Sequence, residues 1–347
     1  MPVNNLDVRD LNHVLDKTRH IWEEARGKNI FITGGTGFFG FWLIETFVYI
    51  NQSLNLGITA YILSRDPGSF CLKAPHLALR KDIKFIQGDV RTFETSDISF
   101  YYLIHAATQA SAKLDIEAPD EMYEVIIKGT SHIIDLCKKS SVKKILFISS
   151  GAIYGQHAAQ LGKITEDYTP FNESLNNLSA YARGKREAER LLQDYASTHD
   201  VELKIARCFA FVGPHLPLNT HFAVGNFIRD AIASKPILIH GDGSPMRSYL
   251  YTSDLAIWLW TILFQGSSGR AYNVGSDEAI SILDLANLIR ETISSSSEVT
   301  VLTPSNGNTV SSFYVPSTQR AQNELGLLNY VSLKEAIRLT AQWYNNT

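Results

Sequence analysis

Cysteine is scarce in this chain: Cys71, Cys137 and Cys208 are the three among 347 residues. They stand far apart in no metal-like spacing, and an odd number cannot close a set of bridges, so a disulfide framework is excluded and a reducing, cytoplasmic setting is expected. Glycine, with 22 residues, and proline, with 11, are too few for a fibrous or low-complexity chain. An excess of one charge is missing as well. Thirty-two Lys and Arg against 35 Asp and Glu leave a net charge of −3, too balanced for a protein that grips polyanions by counterion release, so nucleic acid is not an expected partner. No long apolar run is present: Leu255 to Phe264 has about half the ~20 residues a spanning helix needs, and Met1 to Asp10 lacks an apolar signal core, so no membrane segment is expected. His105, His215, His221 and His240 show no metal-ligand spacing, and no metal site is assigned. What remains, with 45% hydrophobic residues, suffices for one large or two small domains.

An i, i+3, i+4 series from Leu11 to Ala25 predicts an amphipathic helix that Gly27 ends. From Asn29 onward short β-prone runs alternate with helical or long crossover segments. Strands are expected at Asn29 to Thr33, Ile58 to Leu63, Ile83 to Ile86, Tyr101 to His105, Lys143 to Ser149 and Val201 to Arg207. The clearest intervening helices are Phe38 to Ile50, Asp120 to Lys139 and Ser179 to Thr198. Such alternation implies parallel pairing with both faces of the sheet covered, a doubly wound α/β architecture. Beyond Val212 the chain breaks into Gly/Pro-punctuated pieces that read as a smaller lobe, with helices at Asn219 to Ser234, Asp254 to Phe264, Ile282 to Ile293 and Ser332 to Tyr344, and a loop between Thr303 and Ser312.

Two motifs carry chemistry. Thr33-Gly34-Gly35-Thr36-Gly37-Phe38-Phe39-Gly40 follows a predicted strand and opens a helix, the context of a dinucleotide site. There Gly34 permits a sharp turn, Gly37 lets the backbone approach a pyrophosphate, Gly40 lets helix pack on strand, and the helix N-terminus offers N–H groups to the anion. Tyr181 and Lys185 stand four apart in a predicted helix and so share a face. A phenol with pKa near 10 is a poor acid or base at neutral pH, and a neighbouring ammonium favours the phenolate and makes the proton labile.

The spacing of Gly34, Gly37 and Gly40 resembles the extended branch of the short-chain dehydrogenase/reductases. Ser149-Ser150-Gly151-Ala152-Ile153-Tyr154-Gly155 is similar to the S-S-x-x-[VI]-Y-G of the NAD(P)-dependent nucleotide-sugar epimerases, dehydratases and reductases within it. The resemblance, from Asn29 to about Asn273, implies a Rossmann-type domain over 28–211 after a helical extension over 1–27. The remainder, 212–347, is then mainly a nucleotide-sugar-binding lobe with some segments returning to the main sheet. It implies Ser150, Tyr181 and Lys185 as catalytic residues, with Lys185 also holding the nicotinamide ribose. The cofactor loop is Gly34, Thr36, Gly37, Phe38, Phe39 and Gly40. Asp89 and Val90 match the family's contact to adenine, and His105, Ala106 and Ala107 its small-residue turn beneath the cofactor. Ser64 and Arg65 after the second strand favour NADP, while Asp66 keeps NAD as the alternative.

The same resemblance points to a nucleoside-diphosphate sugar as substrate, with Arg247 holding its pyrophosphate and Asn226 facing the nucleotide, and to a homodimer built on the 120–139 and 179–198 helices. Ser253 and Asp254 are expected to cap the helix that follows them. Family 4,6-dehydratases carry Asp and Glu after the catalytic Thr. Here Gly151 and Ala152 stand in those places, from which follows the expectation that this chain is no 4,6-dehydratase. Two further departures are Ile126, where the family has Asn in N-x-x-G-T, and Ala210, where it has Asn in R-x-F-N-x-x-G-P. The expected reaction is reduction of the C4 keto group of a nucleotide-linked 4-keto-6-deoxyhexose, as in deoxysugar biosynthesis, with 4-epimerisation on tightly bound NAD as the alternative.

Overall fold

The structure, a computed structural model, describes residues 5–95, 98–108, 112–155, 162–168, 178–220, 222–294, 296–303 and 312–346. Most of the loop expected between Thr303 and Ser312, and His221, lie outside the described residues. The elements run in the order α1 (Val8–Thr18), β1 (Asn29–Thr33), α2 (Phe38–Ser53), β2 (Thr59–Ser64), α3 (Pro67–Lys73), α4 (Pro75–Ala78), β3 (Ile83–Gln87) and β4 (Tyr102–His105). There follow α5 (Ala112–Glu117), α6 (Pro119–Lys139), β5 (Lys144–Ser150), α7 (Ala180–Thr198), β6 (Glu202–Cys208), β7 (Phe211–Val212), α8 (Ala223–Ile232), β8 (Ile237–Ile239), β9 (Met246–Arg247) and β10 (Leu250–Tyr251). The last are α9 (Thr252–Gln265), β11 (Arg270–Val274), β12 (Ile280–Ser281), α10 (Ile282–Ile293), β13 (Val299–Val301), β14 (Phe313–Tyr314), α11 (Gln319–Leu325) and α12 (Leu333–Asn345).

The chain divides into two compact units. The first comprises 1–155, 171–207 and 256–272, the second 156–170, 208–255 and 273–347. The first unit holds a seven-stranded sheet in the order β11-β6-β5-β4-β1-β2-β3, with β3, β2, β1, β4 and β5 paired in parallel. The order reverses between β1 and β4. Both strands end there in register, Thr33 beside His105, and the crevice outside such a reversal is where open α/β sheets take their ligands. Strand interiors such as Ile30, Phe31, Ile32, Leu103, Ile104, Ile145, Leu146 and Phe147 are fully buried, the near-continuous apolar runs of a sheet covered on both faces.

The expected N-terminal helix stops at Thr18 and continues as two 3₁₀ turns, Arg19–Ile21 and Glu23–Ala25. Thr18 donates back to Val14 O at 2.7 Å, a side-chain bond that competes with the helix ladder and bends it. The bend carries Trp22 into the core, where its ring lies 4.6 Å from that of Trp260 and 5.0 Å from that of Phe264 and its N–H donates to Thr18 Oγ1.

In the second unit, short sheets β10-β7, β12-β9-β14 and β13-β8 accompany α8, α10 and α12, which pack on one another. Helix α8 begins at Ala223, four residues later than the expected Asn219. The Thr220 hydroxyl donates to Pro217 O, a local turn that holds the preceding segment out of the helix. Asp254 does not cap its own helix as expected. Helix α9 already starts at Thr252, and Asp254 Oδ2 accepts from the N–H groups of Tyr330 and Val331 at 2.9 and 3.1 Å.

Candidate active site

The ends of the five strands β1 to β5 and the helices α2 and α7, all of the first unit, build the site. After β1, Gly34 turns with φ of +71°, and a Cβ there would sit 2.6 Å from Ala106 O and 2.8 Å from Ala107 N. The turns after β1 and β4 therefore touch backbone to backbone, which only glycine allows. A Cβ at Gly40 would strike Gly34 O and Gly35, so helix α2 also starts against the turn. Gly37 differs: its nearest neighbour would be Gly34 O at an ordinary 3.4 Å, and Gly37 and Thr36 are exposed. Gly37 is also the N-cap of α2, with no side chain capping the helix. The exposed loop and uncapped N–H groups form a cradle that fits the pyrophosphate of a dinucleotide. Phe38 and Phe39 lie half-buried beside it, rings 5.6 Å apart.

His105 is sealed beneath this cradle rather than lining it. The Thr33 hydroxyl accepts from Ala106 N and Ala107 N at 3.1 and 3.0 Å, so its own hydrogen is left to point at His105 Nδ1, 2.8 Å away. The Thr130 hydroxyl donates to Ile126 O and lies 3.3 Å from His105 Nε2. Nδ1 must then accept and Nε2 donate, which is the neutral imidazole. Burial drives the His105 pKa down to about 3, and the charge of Lys185 adds to the depression.

After β2, Ser64 is buried and accepts from Asp66 N, while Arg65 is exposed. Asp66 caps α3, its Oδ1 accepting from Ser69 N at 2.9 Å. After β3, Asp89 is gripped by Arg91 at 2.7 and 3.0 Å. Its carboxyl pKa is held low by that hydrogen bond, with burial opposing and Arg65 adding a smaller pull. Val90 is buried against Gly129, whose added Cβ would meet Val90 Cγ1 at 2.9 Å.

Helix α7 starts where Ser179 Oγ accepts from Ala182 N and Asp115 accepts from Tyr181 N at 2.8 Å, an acid placed at the positive end of the helix. Tyr181 is half-buried one turn before Lys185, which is 2% exposed. Lys185 Nζ donates to Ile148 O at 2.7 Å and lies 4.8 Å from the Phe147 ring and 6.0 Å from that of Tyr181. Sequence reasoning left the two serines of β5 to be separated by motif register. Structure separates them by bonding: Ser149 donates to Glu189 at 2.5 Å, whereas Ser150 Oγ accepts from Ala152 N at 3.2 Å and keeps a hydrogen to donate. Phe147 lies beside Lys185 Nζ and Ser149 bonds Glu189, so both face α7.

The expected substrate residues belong to the second unit. Arg247 in β9 pairs with Ile280 and Tyr314 on the flanking strands. Its NH1 donates to Met246 O at 2.8 Å and contacts Ser312 at 3.4 Å, with the guanidinium 5.8 Å from the Tyr314 ring centroid. Asn226 is engaged at both ends, donating to Thr220 O and accepting from Arg229. Near it in the chain, Phe227 is core at 4% exposure and Phe222 is exposed at 40%. Sequence reasoning passed over Glu189 and Thr33 as site residues. The signal for Glu189 was available, since it extends the Tyr181, Lys185 spacing by four.

The chain is 27% identical over 345 residues to human dTDP-D-glucose 4,6-dehydratase, a match covering 93% of each chain. It is 26% identical over 322 residues to UDP-glucuronic acid decarboxylase 1 of Danio rerio, covering 93% of this chain and 74% of that one. Among solved structures, the UDP-glucose 4-epimerase of Thermotoga maritima superposes with a TM-score of 0.77 at 21% identity, covering 92% of this chain and 99% of that one, a likeness of fold. The expectation that 4,6-dehydration is excluded does not survive these matches, because a protein named for that reaction aligns along nearly the whole chain. The reasoning from Gly151 and Ala152 was too local: an acid and a base need only reach the sugar, and side chains elsewhere in the chain can do so. The model of the NAD dependent epimerase/dehydratase family matches residues 30–275, which takes in the glycine turn, Ser150, Tyr181 and Lys185, and the chain belongs to that family.

Proposed function

We propose that this protein is a nucleotide-sugar oxidoreductase that reduces the C4 keto group of a nucleoside-diphosphate 4-keto-6-deoxyhexose in the cytoplasm. The carrying observation is Lys185, a buried ammonium fixed by a carbonyl one helical turn from Tyr181. The bound nicotinamide cofactor supplies the hydride. Tyr181 delivers the proton to the C4 oxygen, Ser150 donates a hydrogen bond to the same oxygen, and Lys185 favours the phenolate that Tyr181 leaves behind while holding the nicotinamide ribose. Gly34, Thr36, Gly37, Phe38, Phe39 and Gly40 cradle the pyrophosphate, Asp89 and Val90 bound the adenine, and Ala106 and Ala107 floor the cofactor.

NADP is the favoured cofactor. Asp66, the residue that would bind a ribose 2′-hydroxyl, is engaged in capping α3, and exposed Arg65 above Ser64 suits a 2′-phosphate. Arg247 is assigned to the substrate pyrophosphate, as an arginine fork suits phosphate oxygens, and Asn226 to the nucleotide. A homodimer through α6 and α7 completes the proposal.

The test supplies dTDP-4-keto-6-deoxyglucose with NADPH or NADH and follows both cofactor oxidation and the sugar product. Net NADPH oxidation is expected, and Tyr181→Phe should lower turnover by about a hundredfold or more while leaving cofactor affinity intact. Unchanged turnover in that variant removes Tyr181 from its role. Retained NAD with no net consumption, and interconversion of UDP-glucose and UDP-galactose, assigns a 4-epimerase instead.

A further inference from the structure

Helix α7 carries a third residue on the stripe of half-buried Tyr181 and buried Lys185. Glu189, 5% exposed, follows Lys185 by four residues, about 6 Å along the helix. Its Oε1 accepts from Ser149 Oγ at 2.5 Å and from Arg207 Nε at 3.2 Å, and its Oε2 accepts from Arg207 NH2 at 2.8 Å. Arg207, at the end of β6, donates through NH1 to Tyr154 OH at 2.9 Å and lies 5.2 Å from the centre of that ring. Tyr154 is itself buried at 2% exposure. Tyr154 ends the 3₁₀ turn Gly151–Tyr154, whose N-cap is Ser150, and Ser149 directly precedes that cap. The segment that carries Ser150 is therefore tied at both ends to one carboxylate–guanidinium pair, and that carboxylate stands on the helix that carries Tyr181 and Lys185.

We infer that Glu189 and Arg207 are positioning residues that hold Ser150 in its working geometry relative to Tyr181 and Lys185. The inference rests on the functional reading above. Neither residue meets the sugar or the cofactor in this role. A buried ion pair is a weak source of stability compared with apolar side chains of the same volume, but the bidentate fork fixes direction as apolar packing does not. Glu189 and Arg207 stand 18 residues apart on different elements, so their bond fixes α7 against β6, and Ser149 and Tyr154 extend that fix to the end of β5.

The experiment uses the full-length protein with dTDP-4-keto-6-deoxyglucose and UDP-glucose as probes. Ser149→Ala removes one bond to the pair and Tyr154→Phe another, both with little change of volume, while Glu189→Gln attacks the pair directly. Each mild variant is expected to lower kcat about tenfold, since displacements of about 1 Å can cost a hundredfold, with KM and NADP⁺ affinity within about twofold. Their thermal midpoints should stay within about 4 °C of the parent. Combined, the two mild changes should lower kcat by less than the product of the single effects, because both act through one pair. Unchanged kcat in both mild variants overturns the inference. So does a kcat loss that runs parallel with lost cofactor affinity and a lowered midpoint, the signature of a merely structural role. Tyr181→Phe is run alongside: if it remains active the functional reading itself fails, whereas an inactive Tyr181→Phe with fully active Ser149→Ala and Tyr154→Phe sinks the positioning role alone.

Discussion

A single imidazole shows how the interior of this site is tuned. His105 is buried and neutral, bonded through both ring nitrogens to Thr33 and Thr130, and its pKa is lowered from 6.5 to about 3 by burial first and by Lys185 second. A protonated His105 would place a second cation beside Lys185 and break the acceptor role of Nδ1. The sign of the linkage follows. Below about pH 6.5 the unfolded chain takes up a proton that the folded chain refuses, so stability is complete above that pH and declines as the pH falls toward 3. At most about 1.4 kcal/mol per pH unit is lost through this residue. Urea denaturation between about pH 5 and about pH 8 should give a stability that climbs to about pH 6.5 and levels off above it. His105→Gln should be less stable at the upper end and show a flatter profile. A wild-type profile equally flat would mean that His105 carries its proton in the fold.

The strand-turn-helix of β1 and α2 contains glycines required for two different reasons. Gly34 and Gly40 are demanded by the fold, because a Cβ at either meets backbone atoms that cannot move aside. Gly37 has room for one, so packing does not demand its glycine, and the proposed pyrophosphate contact would. Gly34→Ala should lose both thermal stability, by about 2 kcal/mol or more from the left-handed backbone and the clash, and cofactor affinity. Gly37→Ala should melt with the parent and bind NADP⁺ at least about tenfold more weakly, since a Cβ there stands where the pyrophosphate must come close. Calorimetry with titration of NADP⁺ and NAD⁺ checks both. This element was legible in the sequence because its constraints are local: a strand, glycines at fixed offsets and an apolar helix lie within one short stretch. Thr33 was not, since its function is to join two turns 72 residues apart. Glu189 was hidden in the same way, its partners lying on β5 and β6. Helix ends such as Thr18 and Ala223 moved because a hydroxyl bonding to a nearby carbonyl changes the backbone without altering the hydrophobic period.

On the scale of the whole molecule, alternating strands and helices made the parallel sheet readable, whereas the assembly of the second unit from three separate stretches rests on contacts that no local pattern carries. Asp254 is an instance: its carboxylate grips backbone at 330 and 331, 76 and 77 residues on. The division gives a way to test the two proposed binding roles separately. The glycine turn, Ser150, Tyr181 and Lys185 are in the first unit and Arg247 is in the second. The described hydrogen bonds of Arg247 go to neutral oxygens of Met246 and Ser312. A pyrophosphate would add an anionic partner to these neutral ones. A charge-assisted hydrogen bond is worth about 1.5–3 kcal/mol, so Arg247→Gln should weaken UDP and dTDP binding by about tenfold to a hundredfold. NADP⁺ affinity should change by less than about twofold, because the cradle for that anion is made of β1 and α2 backbone. Isothermal titration with the three nucleotides reads both numbers in one protein. Equal weakening of NADP⁺ would mean that the substitution acts by loosening the fold, and unchanged binding of UDP and dTDP would remove Arg247 from the substrate site.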